Sequence, residues 1–193
     1  MKTMVCFVLG KRNKKIEEKV LSFGFDVVFI KEVSKIEEIT KQETKDYNAI
    51  LIKTENVEML RRIIDKAANY FDIFVLGTND KINRAALEHK KVKALVSPEY
   101  NRKFDYTSYR NSGMNHVLCK IARNNDKTII ENFSEFLARE KKDRATWLGR
   151  ILQNARLCKK YKAKFIVTQF VKGDEIDNMV DSRKLNDFFR ILS

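Results

Sequence analysis

Apolar residues along this chain fall in short unbroken runs, separated by stretches in which they recur every three or four positions. The runs Thr3–Leu9, Asp26–Lys31, Ala49–Lys53, Ile73–Leu76, Lys93–Ser97, Thr128–Phe133 and Lys164–Thr168 are rich in Val, Ile and Phe and read as strands. Between them the helical period predicts helices over Lys14–Phe23, Ser34–Lys45, Val57–Tyr70, Ile82–Lys90, Ser112–Asn124 and Ala138–Lys162. Asp181 and Ser182 cap a last one over Arg183–Leu192. Continuous apolar runs, as opposed to alternating ones, are the mark of parallel strands buried on both faces. Such a succession of β-α units suggests an α/β fold, either a doubly wound sheet or a closed barrel. At 193 residues the chain is short for a TIM barrel, which typically takes about 250. A barrel here has to be compact, with small loops and an irregular strand count. No linker, repeat or low-complexity tract divides the chain, so residues 1–193 read as one domain. Its single proline, Pro98, ends a strand and opens one long loop, Pro98–Arg110.

The helix predicted over Ser112–Asn124 has the most informative polar face. On a helical wheel Met114, Val117, Leu118, Ile121 and Ala122 share one side, and His116, Lys120 and Arg123 the other. Ser112-Gly113 reads as its cap. A positive row beside a helix start, where backbone N–H groups point outward, suits phosphate. A plain solvated face is the commoner meaning of such a row.

Charge shifts the balance between those two readings. Lys and Arg number 39 against 26 Asp and Glu, a formal net charge of +13. A domain this basic usually has a polyanionic partner, most often nucleic acid. The excess is uneven: from Arg139 to Lys164, ten basic residues are opposed only by Glu140 and Asp143. There the wheel puts Trp147, Leu148, Ile151, Leu152, Ala155 and Cys158 on a buried arc, and Arg139, Lys142, Arg150, Arg156 and Lys160 opposite them. The loop Pro98–Arg110 interleaves Tyr100, Phe104, Tyr106 and Tyr109 with Arg102, Lys103 and Arg110. That mixture can stack on unpaired bases while neutralising phosphate, or it can pack the loop onto its own domain. Following a strand, the loop lies at the end of the sheet where α/β folds place their binding sites.

Other chemistries find less support. The two histidines, His89 and His116, are far apart in sequence and no HxH or HExxH occurs, so an imidazole-built metal centre is not expected. An all-carboxylate Mg²⁺ site stays open, with Glu131 in a strand run either as a member or as the partner of a Lys or Arg. There is no GxGxxG, GxxxxGK[ST] or GxSxG, so nucleotide-cradling loops and a nucleophile elbow are missing and no cofactor is expected. Cys6, Cys119 and Cys158 are scattered within apolar patterns and read as reduced core residues of a cytoplasmic protein. The run Met4–Gly10 is too short to cross a membrane, and no leader peptide is evident.

Several motifs, in order, resemble one family. They are Asn83-Arg84-Ala-Ala-Leu-Glu88, Val92-Lys-Ala-Leu-Val-Ser-Pro98-Glu99 and Ser112-Gly-Met-Asn-His116-Val-Leu. Then follow Ile129-Ile-Glu131-Asn-Phe-Ser134-Glu-Phe, Ala155-Arg-Leu-Cys-Lys159-Lys-Tyr161, Phe165-Ile-Val-Thr168 and Asp181-Ser-Arg183-Lys-Leu. This succession, from about Gly77 to Ser193, resembles the thirty-kilodalton ribonuclease P subunit family of archaea and eukaryotes, whose archaeal branch is ribonuclease P protein component 3. The first strand departs from the family in lacking an acid, and the Pro98–Arg110 loop is longer than is usual there. The resemblance implies a TIM-barrel-like (β/α) fold related to the polymerase and histidinol phosphatase metallohydrolases, without their metal ligands. It implies an RNA-binding protein subunit supporting a catalytic RNA that removes the 5′ leader from precursor tRNA. It also implies a heterotetramer with ribonuclease P protein component 2, two copies of each, among the other ribonuclease P protein subunits. Carried over by motif position, Arg84, Arg110 and His116 are the expected RNA contacts. Lys120, Arg123, Arg150 and Lys172 are added on charge and placement. A small metal-dependent phosphoesterase of related barrel fold is the alternative.

Overall fold

Eight strand segments make one sheet: β1 (Met4–Leu9), β2 (Phe25–Val33), β3 (Ala49–Ile52), β4 (Asp72–Leu76), β5 (Val92–Val96), β6 (Thr128–Asn132), β7 (Lys164–Thr168) and β8 (Phe170–Lys172). The structure, a computed structural model, describes residues 4–192, with side chains as far as Phe189; Thr3, the expected start of the first strand, and Ser193 lie outside the described residues. Every pairing is parallel, in the order β7-β6-β5-β4-β3-β2-β1-β8. The two ends of that order are one strand, because only Gln169 separates β7 from β8. The strand leaves β6 at Thr168↔Asn132 and joins β1 at Phe170↔Phe7, which closes the sheet on itself.

The switch of neighbours at Gln169 leaves no polar group stranded. Its carbonyl accepts from the Phe7 amide at 3.0 Å, and its side-chain amide exchanges bonds of 2.8 and 2.9 Å with the Val180 backbone. The Thr168 hydroxyl donates to the Val5 carbonyl. Asn132 Oδ1 accepts from the Phe170 amide at 3.2 Å while capping the helix that follows it. The barrel alternative therefore holds, with the irregular closure that the chain length demands. Three-residue β8 escaped the sequence reading because so short a segment carries no period.

Alternation along the strands sorts side chains into an interior and an exterior core. Phe7, Ile30, Ala49, Leu51, Phe74, Leu76, Ala94, Val96, Ile130 and Phe170 fill the barrel, which makes it a packed core and not a pore. Phe7 stacks on Phe170 at 4.5 Å and meets Phe74 edge-on at 5.0 Å. Outward residues such as Ile50, Ile52, Ile73, Val75, Leu95 and Ile129 pack beneath the surrounding helices.

Those helices are α1 (Lys14–Ser22), α2 (Val57–Ala67), α3 (Asp80–Glu88), α4 (His116–Asn124), α5 (Phe133–Ala138), α6 (Lys141–Tyr161) and α7 (Ser182–Leu192). Asn13, Asn56, Asn79, Asn115 and Asn132 each accept an amide of the first turn, so asparagine is this chain's usual N-cap. Two expected helices differ. Ser34–Lys45 is not an α-helix: after β2 runs on to Val33 there are two 3₁₀ turns, Ile36–Glu38 and Lys41–Lys45. β-branched Ile36, Ile39, Thr40 and Thr44 weaken helix there. Lys31 Nζ pins the segment at 2.6 Å from both the Glu38 carbonyl and Glu43 Oε1. Ala138–Lys162 is two helices, α5 and α6, broken at extended Arg139 and Glu140. Arg144 makes the break tolerable by donating to the freed Leu137 and Arg139 carbonyls at 2.6 and 2.9 Å.

Candidate nucleic-acid interface

The loop that follows β5 lies along α6 and is held by charge. Asp105 is its hub. Its carboxylate accepts from Arg150 Nε and Arg110 Nη1, each at 2.7 Å, and from the Asn111 amide at 3.0 Å. Arg150 Nη1 also donates to the Arg102 carbonyl at 2.7 Å. Burial alone would raise the Asp105 carboxyl, but the Arg110 and Arg150 hydrogen bonds and the Asn111 amide outweigh it and hold it below its ordinary value. Gln153 fixes the far end, accepting from the Arg110 amide at 3.1 Å and donating to the Arg110 carbonyl at 2.9 Å and Ser112 Oγ at 2.8 Å.

The loop returns to α4 through Gly113, whose φ of +74° favours glycine. A Cβ there would stand 2.0 Å from the Pro98 carbonyl oxygen. Asn83, buried on α3, ties both sides of this crossing by donating to the Pro98 and Gly113 carbonyls at 3.1 Å each. Ser112 and Gly113 thus belong to the crossing and not to the helix. The N-cap of α4 is Asn115, which accepts from the Leu118 amide at 2.9 Å.

Beneath the loop lie Glu99, Glu131 and Asn154, all with no exposed surface. Asn154 Nδ2 reaches Glu131 Oε1 at 3.1 Å, Glu99 Oε2 at 3.3 Å and the Ser112 carbonyl at 3.0 Å. Burial pushes Glu99 up to about 7, against the opposing pull of the Glu131 hydrogen bond and of Arg150 and Arg102. Burial and the facing Glu99 charge push Glu131 well above the usual carboxylate range. Both carboxyls are thus pushed toward the neutral form, and the pair titrates as a unit. This corrects the expected Lys or Arg partner for Glu131: no cation pairs with it, and what faces it is Asn154 and a second carboxyl, Glu99. Among the described residues no three or more His, Cys, Asp or Glu side chains are grouped to hold a metal ion.

Outside this buried layer α6 and Arg110 of the loop form a basic groove of about 400 Å³, lined by Arg110, Gly149, Leu152, Gln153, Arg156, Leu157 and Lys160. Gly149 lets the loop close on α6, because a Cβ there would stand 3.0 Å from Arg110 Nε. The groove runs on to Tyr161, which has the Lys160 ammonium 5.7 Å and the Lys120 ammonium 5.9 Å from its ring centre, and the His116 ring at 6.2 Å. Among the described residues Lys120, Arg156 and Lys160 have no carboxylate within ion-pair distance. Their charge faces solvent.

The expected contact residues are divided by this geometry. Arg110 lines the groove, and His116 and Lys120 gather beside it around the Tyr161 ring. Arg123, in the last turn of α4, is exposed and continues the same helix face. Arg84 is exposed but paired with Glu88 at 2.7 Å. Lys172 ends β8, exposed, and is not among the residues lining the groove. Arg150 is corrected outright: it is 2% exposed, because the loop covers the arc that the helical wheel left open. Arg139 is likewise engaged, 2.8 Å from Glu135 and 4.1 Å above the Trp147 ring. Arg156 and Lys160 belong to the basic arc that the wheel offers as a nucleic-acid surface, while Tyr161 beside them carries no such expectation from sequence. Their signal was the spacing that puts residues 149, 153, 156 and 160 on one stripe of α6.

Ribonuclease P protein component 3 of Methanocaldococcus jannaschii is 34% identical over 141 residues, 72% of this chain and 58% of its own length. That of Methanococcus maripaludis strain C6 is 30% identical over 136 residues, 70% of this chain and 56% of its own length. The chain spans about half the length of the curated relatives it matches. Among solved structures, a chain in the cryo-EM structure of archaeal ribonuclease P with mature tRNA shares the fold with a TM-score of 0.76 at 24% identity, over 97% of this chain and 82% of that one. The family model for RNase P subunit p30 matches residues 11–169, and the chain belongs to that family.

Proposed function

We propose that this chain is an RNA-binding protein subunit of ribonuclease P, supporting the catalytic RNA that removes the 5′ leader from precursor tRNA. The observation that carries the reading is the basic groove between the loop's Arg110 and α6, with unpaired Arg156 and Lys160 in it and unpaired Lys120 nearby over Tyr161, in a member of the p30 family. Phosphate binding needs no protein nucleophile: cations release condensed counterions and lower the repulsion between packed RNA segments. Arg110, His116, Lys120 and Arg123 join Arg156 and Lys160 as the phosphate contacts, with Arg84 and Lys172 at separate points of the surface. Ribonuclease P RNA is the main partner. Component 2, in an assembly with two copies of each, the other ribonuclease P protein subunits and precursor tRNA complete the set, in the cytoplasm. No helix among the described residues is long and apolar enough to cross a membrane.

Retention on ribonuclease P RNA across a salt series tests the reading. The wild-type affinity is expected to fall steeply with salt, and R156A/K160A to reduce the log–log slope by about two, one for each lost phosphate contact. Precursor-tRNA cleavage reconstituted with and without the chain supplies the functional measure. Absent or salt-independent binding, alone and with component 2, would sink the proposal. Gly149→Ala gives a second handle: its methyl crowds the Arg110 guanidinium, which shifts by a few tenths of an ångström, and a small loss of RNA affinity is expected. The gain in helix propensity, about 1 kcal/mol, keeps the fold intact.

A further inference from the structure

Three aromatic rings stand exposed at the tip of the loop between β5 and α4: Phe104 at 80%, Tyr106 at 50% and Tyr109 at 60%. Tyr100, the fourth aromatic of this loop, is instead packed inward, with its hydroxyl 3.4 Å from Lys53 Nζ. The loop therefore divides its aromatics, using one for its own packing and leaving three outside. Neighbouring exposed rings of this size are uncommon on a soluble domain without a binding role.

The tip is held in place. The Tyr106 amide donates to the Tyr109 carbonyl at 3.0 Å, closing a tight turn, and the two rings stack at 4.6 Å with a 34° tilt. Both sides of the turn are tied to Asp105, directly through Asn111 and Arg110 and below through Arg150. A stacked pair leaves each ring one face free of the other, and a held turn has little entropy left to lose when a planar group settles on it. The charge around it is positive: Lys103 is exposed beside Phe104, and Asp105, the only acid in the turn, is engaged by two arginines. Arg110, next to Tyr109, is also a wall of the α6 groove.

We infer that Phe104, Tyr106 and Tyr109 form a stacking platform for unpaired nucleobases of an RNA strand whose phosphates run along Arg110, Arg156 and Lys160. The inference rests on the RNA-binding reading above and adds that the bound segment is single-stranded at the loop. Planar bases fit rings flanked by cations, and stacking of this kind tolerates any base because every base has a π-face. Duplex RNA, whose bases are already stacked, meets the groove but gains nothing from the rings.

Fluorescence anisotropy with a labelled oligouridylate and with a blunt RNA duplex of equal length, each across a salt series, tests this on the full chain. Y106A/Y109A is expected to weaken oligouridylate binding roughly tenfold or more while leaving the duplex and the salt slope unchanged; Y106F/Y109F keeps the rings and stays near wild type. R156A/K160A weakens both ligands and lowers the slope. Unchanged oligouridylate binding in Y106A/Y109A, with R156A/K160A still weakened, overturns the platform and leaves the groove standing. An equal loss on both ligands also overturns it, since rings that serve only to shape the loop act on any RNA. If wild type binds neither ligand and R156A/K160A changes nothing, the RNA-binding reading fails and takes the platform with it.

Discussion

Replacing Asp105 with alanine is expected to lower the unfolding free energy by about 3–5 kcal/mol, the usual cost of stranding one partner of a buried ion pair. The stranded partner is Arg150, 2% exposed, whose Nε has Asp105 as its acceptor at 2.7 Å. Against a total stability of about 5–15 kcal/mol this is a large fraction. For a chain of this size it moves the melting temperature by on the order of ten degrees. Asp105→Asn keeps an acceptor and loses less. Adding Arg150→Met to the alanine variant removes the unpaired charge and is expected to recover part of the loss, a coupling that a double-mutant cycle reads directly. Acid acts in the same direction. The Asp105 carboxyl lies below its ordinary value when folded, so its contribution is present above the unfolded value and lost as pH falls through the folded one. Additive effects of the two substitutions would show that the hub carries no coupling.

Glu131→Gln is expected to change how stability depends on pH. Glu131 and Glu99 both lie above the ordinary carboxylate value, with no exposed surface. A group raised in the folded state contributes stability that is full below its unfolded value and lost as pH rises toward the folded one. Above the unfolded carboxylate value the folded chain still holds a proton on the Glu131–Glu99 pair that the unfolded chain has released, which costs about 1.4 kcal/mol per pH unit until the folded pair itself titrates. Glutamine donates to Glu99 as the protonated acid does, without needing that proton. Stability of E131Q relative to wild type is therefore expected to grow by about 1.4 kcal/mol per pH unit across that window. Denaturant titrations at several pH values measure it. Parallel profiles would falsify the retained proton.

The strand framework was legible from sequence because burial on both faces makes much of each parallel strand a continuous apolar run. Runs such as Ala49–Ile52 and Ile73–Leu76 carry that signal on their own. Closure was not legible: the contact that makes the barrel is a change of neighbour at Gln169, and a residue's pairing partner leaves no trace in local periodicity. Ser34–Lys45 shows the opposite failure. Its apolar spacing imitates a helix, while β-branched residues and the Lys31 tether hold it in 3₁₀ turns.

The candidate interface was half legible. The α4 row of His116 and Lys120 follows from helical spacing, as do Arg156 and Lys160 on α6. Arg150 shares their basic character but lies beneath the loop, and a helical wheel cannot foresee what an adjacent loop covers. The same blindness applied to Glu131, whose partner Glu99 is 32 positions earlier in the chain. The loop's aromatics were open to two uses in sequence, and the structure gives each its residues: Tyr100 inside, and Phe104, Tyr106 and Tyr109 outside.

The strand that changes neighbours at Gln169 also dictates an order of assembly. Thr168 bonds to Val5 across a separation of 163 residues, and Phe170 seals the interior against Phe7. Contacts so distant in sequence cost loop-closure entropy before they return any stability, which makes them slow to form. Until residues 168–172 arrive, β1 presents an open hydrogen-bonding edge, the kind of edge that invites pairing with another chain. On the ribosome β1 is made before its closing partner, so a nascent chain carries that edge uncovered through the synthesis of everything between them.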